Sequence, residues 1–180
     1  MAELHVIGEL TGASGFRRQS IFCKWYFAAG QAWELLEGQE GGQTQTDRPA
    51  RGTQSTWAHP IDAHFLCKGL TGWPKIHLQV WKQDKQGRCD ICGYGFCHVP
   101  TAPGSYEIEC PTWRPEGSSK EQWAAWCCGG NPQLVMEEVV HGPEDRFRLQ
   151  TVPGGTVQLR LGIIMKDFGL HHVQTGSSGL

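Results

Sequence analysis

A chain of 180 residues has the length of one domain and can bury a substantial core. Its net charge of −2, with lysines and arginines scattered singly, lacks the basic footprint of a nucleic-acid binder. The 24 glycines and 10 prolines cut the apolar runs into short pieces, the pattern of an all-β sandwich or barrel.

Leu4, Val6 and Leu10 recur at alternate positions with Gly8 at the missing beat. This predicts an opening strand that ends in a turn over Thr11-Gly12-Ala13-Ser14-Gly15. From Ile21 to Phe27, Ile21, Cys23, Trp25 and Phe27 share one face while Phe22 and Tyr26 sit on the other, so both faces are apolar. Either the chain covers both, or Phe22 and Tyr26 meet a partner. Ala32 to Leu36 predicts a short strand, Gln43-Thr44-Gln45-Thr46 an edge or hairpin arm, and Asp47 to Ser55 a loop. Trp57 and the run Pro60 to Cys67 return the chain to the sheet. Ile76, Leu78 and Val80 alternate with Lys75, His77 and Gln79, predicting a strand with one face in the core and one in water. A polar loop over Lys82 to Gly87 follows, and Gly93-Tyr94-Gly95-Phe96 opens a second extended segment that stops at Pro100.

Tyr106, Ile108 and Cys110 alternate with Ser105, Glu107 and Glu109 up to Pro111, giving another half-buried strand. Ser118 and Glu121 form a capping box, with Trp123, Trp126 and Cys127 at helical spacing before Gly129-Gly130, which predicts one short helix. A hairpin closes the pattern: Arg146 to Thr151, a turn at Pro153-Gly154-Gly155, then Val157, Leu159, Leu161, Ile163 and Met165 on one face. Residues 1–170 are thus expected to form one domain and 171–180 a flexible C-terminal tail.

The start, Met1-Ala2-Glu3-Leu4-His5, carries an acid where a secretion signal has basic residues. No run approaches a membrane-spanning helix and no lipidation motif is visible, so a cytoplasmic address is expected. There the eight cysteines are thiols that serve mainly as packing.

Candidate chemistry centres on Val80 to Gly93. This stretch is similar to the third loop of a C2 domain, V-x-D-x-D-x-x-G-x-x-D-x-I-G, but carries Lys82 at the first acidic position. A C2 calcium site needs about five carboxylates from two loops. Here Asp84 and Asp90 remain on one loop, while the other, Thr11 to Ser20, has no acid and carries Arg17 and Arg18. Ser20, Lys82, Asp84 and Asp90 therefore read as degenerate calcium positions, with the two aspartates as turn-forming residues and no metal or other cofactor expected. Cys89-x-x-Cys92 has the spacing of half a zinc site, but the adjacent Cys127-Cys128 cannot easily aim both sulfurs at one ion. Asp62-x-His64 reverses the His-x-carboxylate order of β-sandwich oxygenases, and His5 and His77 read as half-buried hydrogen-bonding residues. No nucleophile elbow, HExxH helix or phosphate loop is present, so no catalytic residue is assigned. One alternative gathers Phe16, Arg17, Arg18, Lys82, Lys85 and Arg88 at one end of the sandwich as a calcium-independent surface for anionic phospholipid.

The whole chain also resembles a known family. His5-Val6-Ile7-Gly8, Phe22-Cys23-Lys24-Trp25, His59-Pro60-Ile61-Asp62, Gly72-Trp73-Pro74, the run Gly93 to Pro100 and Cys110-Pro111-Thr112-Trp113-Arg114-Pro115 lie in register with the B9 domain family of ciliary transition-zone proteins. The resemblance runs from about residue 1 to about residue 168. It implies a C2-like antiparallel β-sandwich without enzymatic activity, located at the cilium base in the transition zone and basal body. It also implies a hetero-oligomeric complex with other B9-domain proteins that supports cilium assembly and gates membrane-protein entry.

Overall fold

The computed structural model describes residues 2–16, 20–49, 52–116 and 150–168. These form nine strands: β1 (Ala2–Ser14), β2 (Ser20–Ala28), β3 (Trp33–Gly38), β4 (Gly41–Gln43), β5 (Ser55–Cys67), β6 (Lys75–Gln83), β7 (Cys89–His98), β8 (Gly104–Pro115) and β9 (Thr151–Lys166). They join one antiparallel sheet in the order β3-β5-β1-β9-β8-β7-β6-β2-β4. No α-helix occurs among the described residues. The helix expected around Ser118 to Cys127 and the tail over 171–180 both lie outside them.

The sheet curls so that its two halves face each other across one core. Leu4, Val6 and Leu10 of β1, Ile61, Ala63 and Phe65 of β5, and Leu159, Leu161 and Ile163 of β9 supply one wall. Ile21, Cys23, Trp25 and Phe27 of β2 with Ile76, Leu78 and Val80 of β6 supply the other. Contacts cross between the walls: Phe27 meets Phe65 edge-on at 5.2 Å, and Trp57 Nε1 donates to the carbonyl of Ile21 at 3.3 Å. The halves are sewn together along the backbone at a single residue pair, Tyr94 with Trp113 between β7 and β8. The fold is therefore all-β and C2-like, held by alternation that aims every second side chain inward.

Three expectations change in detail. The first strand does not turn at Thr11. Gly12, Ala13 and Ser14 stay paired, with β5 on one side up to Ala13 and with β9 on the other, after a bulge beyond Leu10. A Cβ at Gly12 would collide with the Ser55 carbonyl oxygen, so this glycine serves close strand approach, and the chain turns only at Gly15, where φ is 78°. The expected turn at Pro153-Gly154-Gly155 is likewise absent, because β9 runs straight through and pairs with β8 from Thr151 to Ile163, while Arg146 to Leu149 of the expected first arm lie outside the described residues. A Cβ at Gly154 would stand 2.6 Å from Thr112 Oγ1, which itself donates to the Gly155 carbonyl at 2.7 Å. Finally, β6 does not have a wet face, since His77 is 1 % exposed and Gln79 8 %.

Candidate functional site

The β6–β7 turn shows what became of the calcium-loop positions. Asp84 Oδ1 accepts the backbone N–H groups of Gln86 (2.9 Å) and Arg88 (2.8 Å), and its Oδ2 accepts Arg88 Nε at 2.7 Å. The Arg88 side chain, with those two backbone donors, holds the Asp84 carboxyl below its ordinary range. Asp90 is not a turn residue: it lies on β7 opposite Lys82, whose Nζ stands 3.3 Å from its Oδ2. Ser20 opposes Gln83 in the neighbouring pair. Asp84 is thus committed to a cation of its own turn, and Asp90 to the lysine opposite it on β6.

The same geometry reduces the proposed lipid surface. Phe16 is not an exposed wedge; it is 6 % exposed and belongs to the core, beneath Gly155. Burial there follows from β1 running on beside β9 to Ser14, which brings the turn at Gly15 and the Phe16 ring against Gly155. Lys82 and Arg88 are ion-paired, Lys85 is exposed, and Arg17 and Arg18 lie outside the described residues. The cysteine pair is no better disposed toward a metal. Cys89 is exposed, while burial pushes the Cys92 thiol up to about 11.

The second face of β2 is covered by the chain itself. Phe22 is 5 % exposed and stacks on Trp81 at 6.5 Å, and half-buried Tyr26 stacks on His77 at 4.8 Å. Trp81 in turn sits under Lys24 Nζ at 4.8 Å and donates from Nε1 to Gln79 Oε1. Phe22 is therefore not available as a partner-facing residue. Its ring stacks on Trp81, which itself packs against a second small cluster of Ile91 and Tyr94 with Phe96 and Trp113 on β7 and β8. The alternation that left β2 apolar on both faces thus has a structural cause: its inner side chains fill the core, and on the outer face Phe22 and Tyr26 stack on their β6 neighbours Trp81 and His77.

A cluster that no sequence motif announces lies on the outer face of the other half-sheet. Glu3 and His5, two residues apart on β1, point the same way, and His5 is directly opposite His64 of β5. The two imidazoles stack with centroids 3.8 Å apart and planes 17° from parallel. Glu3 Oε2 is 3.3 Å from His64 Nε2 and 3.9 Å from His5 Nε2. His64 Nε2 is buried, with the Glu3 carboxylate beside it. On the opposite flank Lys166 of β9 sets its Nζ 3.2 Å from both oxygens of Glu3, and that bond, more than the nearby imidazole, lowers the carboxyl's pKa. Asp62, which the sequence paired with His64, instead faces Ile7. The usable signal was the Glu-x-His alternation at the very start of β1, which becomes legible only once the β1–β5 register is known.

Comparison with known proteins then places the chain. The family model for ciliary basal body-associated B9 proteins matches residues 4–164. B9 domain-containing protein 2 of Homo sapiens is 52 % identical over 174 residues, 97 % of this chain and 99 % of that protein. The protein of the same name in Drosophila melanogaster is 31 % identical across 97 % of this chain and 99 % of its own length. B9 domain-containing protein 1 of Xenopus laevis is 29 % identical, covering 97 % and 90 % respectively. Among solved structures, the C2A domain of plant Extended Synaptotagmin 1 superposes at a TM-score of 0.45 with 10 % identity, over 90 % of this chain and 93 % of that one.

Proposed function

The chain belongs to the family of ciliary basal body-associated B9 proteins, and on that footing we propose that it is a non-catalytic adaptor of the ciliary transition zone. In this reading it works at the cilium base, on the cytoplasmic side, by associating with other B9-domain proteins. The complex they form supports cilium assembly and gates entry of membrane proteins into the cilium. One observation carries the proposal: likeness to B9 domain-containing protein 2 extends through 97 % of this chain and 99 % of the relative, so one shared domain accounts for both. A second B9 protein, related at 29 % identity, offers a partner built on the same plan.

Association is tested by expressing the chain alone and together with a B9 domain-containing protein 1, then sizing both preparations. The expected result is a heteromeric peak whose melting temperature exceeds that of either protein alone, as mass action requires of a ligand that binds the folded state. Tagged protein should concentrate at the cilium base. Separate elution of the two proteins, together with diffuse signal in ciliated cells, would remove the reading. Calcium-independent lipid binding supports less, because of its six residues Phe16 is buried and Lys82 and Arg88 are paired with Asp90 and Asp84.

A further inference from the structure

Among the described residues, one group of three ligand-type side chains brings its donor atoms within 4.8 Å of one another: Glu3, His5 and His64. We propose that these residues form a binding site for a divalent transition-metal ion of the zinc class, held by two imidazoles and one carboxylate with an outward position left open.

The argument starts from donor chemistry. Two neutral imidazoles and a carboxylate form the nitrogen-and-oxygen set that suits zinc, cobalt, nickel and copper, whereas calcium and magnesium prefer oxygen alone. Bond lengths near 2.0–2.1 Å in a tetrahedral complex put neighbouring donor atoms about 3.4 Å apart. The Glu3–His64 separation of 3.3 Å already meets this, and the Glu3–His5 separation of 3.9 Å needs a shift of about half an ångström. The scaffold is rigid where the site needs it to be. Glu3 and His5 are fixed by the strand's two-residue period, and His5 and His64 by a register that continues without a break from Ala2 to Leu10.

Polarity points the same way. His64 Nε2 is buried and lies 3.3 Å from Glu3 Oε2, a contact that an ion held by both atoms would replace with two direct bonds. The two imidazoles stack with planes 17° apart, so ligation by both needs one ring to rotate about its Cβ–Cγ bond until the two Nε2 lone pairs converge on the ion. One group opposes the ion. Lys166 Nζ sits on both Glu3 oxygens, but its side chain is 60 % exposed and can swing into solvent when a dication takes the carboxylate. With three protein ligands, the fourth position opens away from the sheet, where water or a ligand atom from a docked partner completes the shell. The ion would also pin β1 to β5 at the outermost turns of their pairing.

The test uses the full chain. Zn²⁺ titrated by calorimetry should bind at a one-to-one ratio with a micromolar dissociation constant and raise the melting temperature. Co²⁺ should give the visible absorption of a tetrahedral nitrogen-and-oxygen site, without the near-ultraviolet charge-transfer band of a thiolate. His64→Ala and Glu3→Gln should each weaken Zn²⁺ at least tenfold, while Cys89→Ser with Cys92→Ser should leave it unchanged. Lys166→Met gives the reading least open to a folding artefact: removing the competing ammonium should tighten Zn²⁺ several-fold, an effect no purely structural role for Glu3 produces. The proposal is overturned by a dissociation constant above about 100 μM, by a thiolate band with Co²⁺, or by equal affinity in the wild type and the His64→Ala, Glu3→Gln and Lys166→Met variants.

Discussion

Ala58 occupies a position where its own side chain works against the backbone. It lies in the β1–β5 bulge, where Trp57 and Ala58 both fall opposite Thr11, and its φ is 46°. That left-handed conformation costs an L-residue roughly 1–2 kcal/mol, more than the 0.5–1 kcal/mol that glycine loses in chain entropy. Ala58→Gly should therefore raise stability by about 0.5 kcal/mol, visible as a higher denaturant midpoint at unchanged slope. A lower midpoint would show that the methyl group contributes packing. A second residue-scale prediction concerns Asp84, whose folded-state pKa is depressed first by the hydrogen bond from Arg88. The folded chain then binds fewer protons than the unfolded one. The resulting stability is present above the unfolded-state pKa and lost as pH falls through the folded value. Carbon-detected NMR titration should find Asp84 protonating at lower pH than an ordinary aspartate, and Arg88→Ala should move that midpoint upward. An unmoved midpoint would mean that the guanidinium is not what holds it down. This turn was legible in sequence down to the substitution of Lys82. The ion pair between Lys82 and Asp90 was not, since it depends on a β6–β7 register displaced by the bulge after Val80.

At the scale of the element, β2 is the strand whose sequence posed the sharpest choice. Its alternation gave both faces correctly, but alternation alone cannot say whether the second face is covered by the chain or by a partner. The structure decides for the chain at Phe22, and the energetic consequence is large. Phe22→Ala should cost about 3 kcal/mol or more in a chemical denaturation series, comparable with a core aromatic. Tyr26→Ala, at a half-buried position, should cost less than half as much. A Phe22 loss below about 1 kcal/mol would put its ring on an uncovered surface. The same limit explains β6, where polar His77 and Gln79 suggested a wet face and turned out to be packed beneath aromatic neighbours. It explains β9 too. Pro-Gly-Gly is strong turn chemistry, and only the crowding of Thr112 and Phe16 reveals that those glycines serve close contact instead.

For the whole molecule, fold class and family were readable from short apolar runs and from strings such as Cys110 to Pro115. The histidine cluster was not, because Glu3 and His64 are 61 positions apart in the sequence numbering and only strand pairing joins them. Large exposed side chains are few among the described residues, and two of them adjoin that cluster. Ile164 of β9 is 54 % exposed and opposite His5, and Ile7 of β1 is 48 % exposed on the diagonal. If B9 pairing uses this face, Ile7→Ser with Ile164→Ser should abolish the heteromeric peak while leaving the melting temperature of the isolated chain within a few degrees. Retained pairing would move the interface to another part of the surface.

The placement of β1 between β5 and β9 has a consequence during synthesis. Glu3 meets Lys166 across 163 positions of sequence, so β1 cannot complete its hydrogen bonding until β9 has left the ribosome. At 5–20 residues per second that interval is on the order of ten seconds or longer. Even once β5 has paired with it, the nascent chain presents a thirteen-residue strand with one open edge, and Leu4, Val6 and Leu10 lack the wall that β9 will provide. Emergence of β9 is thus the committing event for the whole domain, and a ribosome that stalls or stops short of it releases a polypeptide suited to chaperone capture or aggregation.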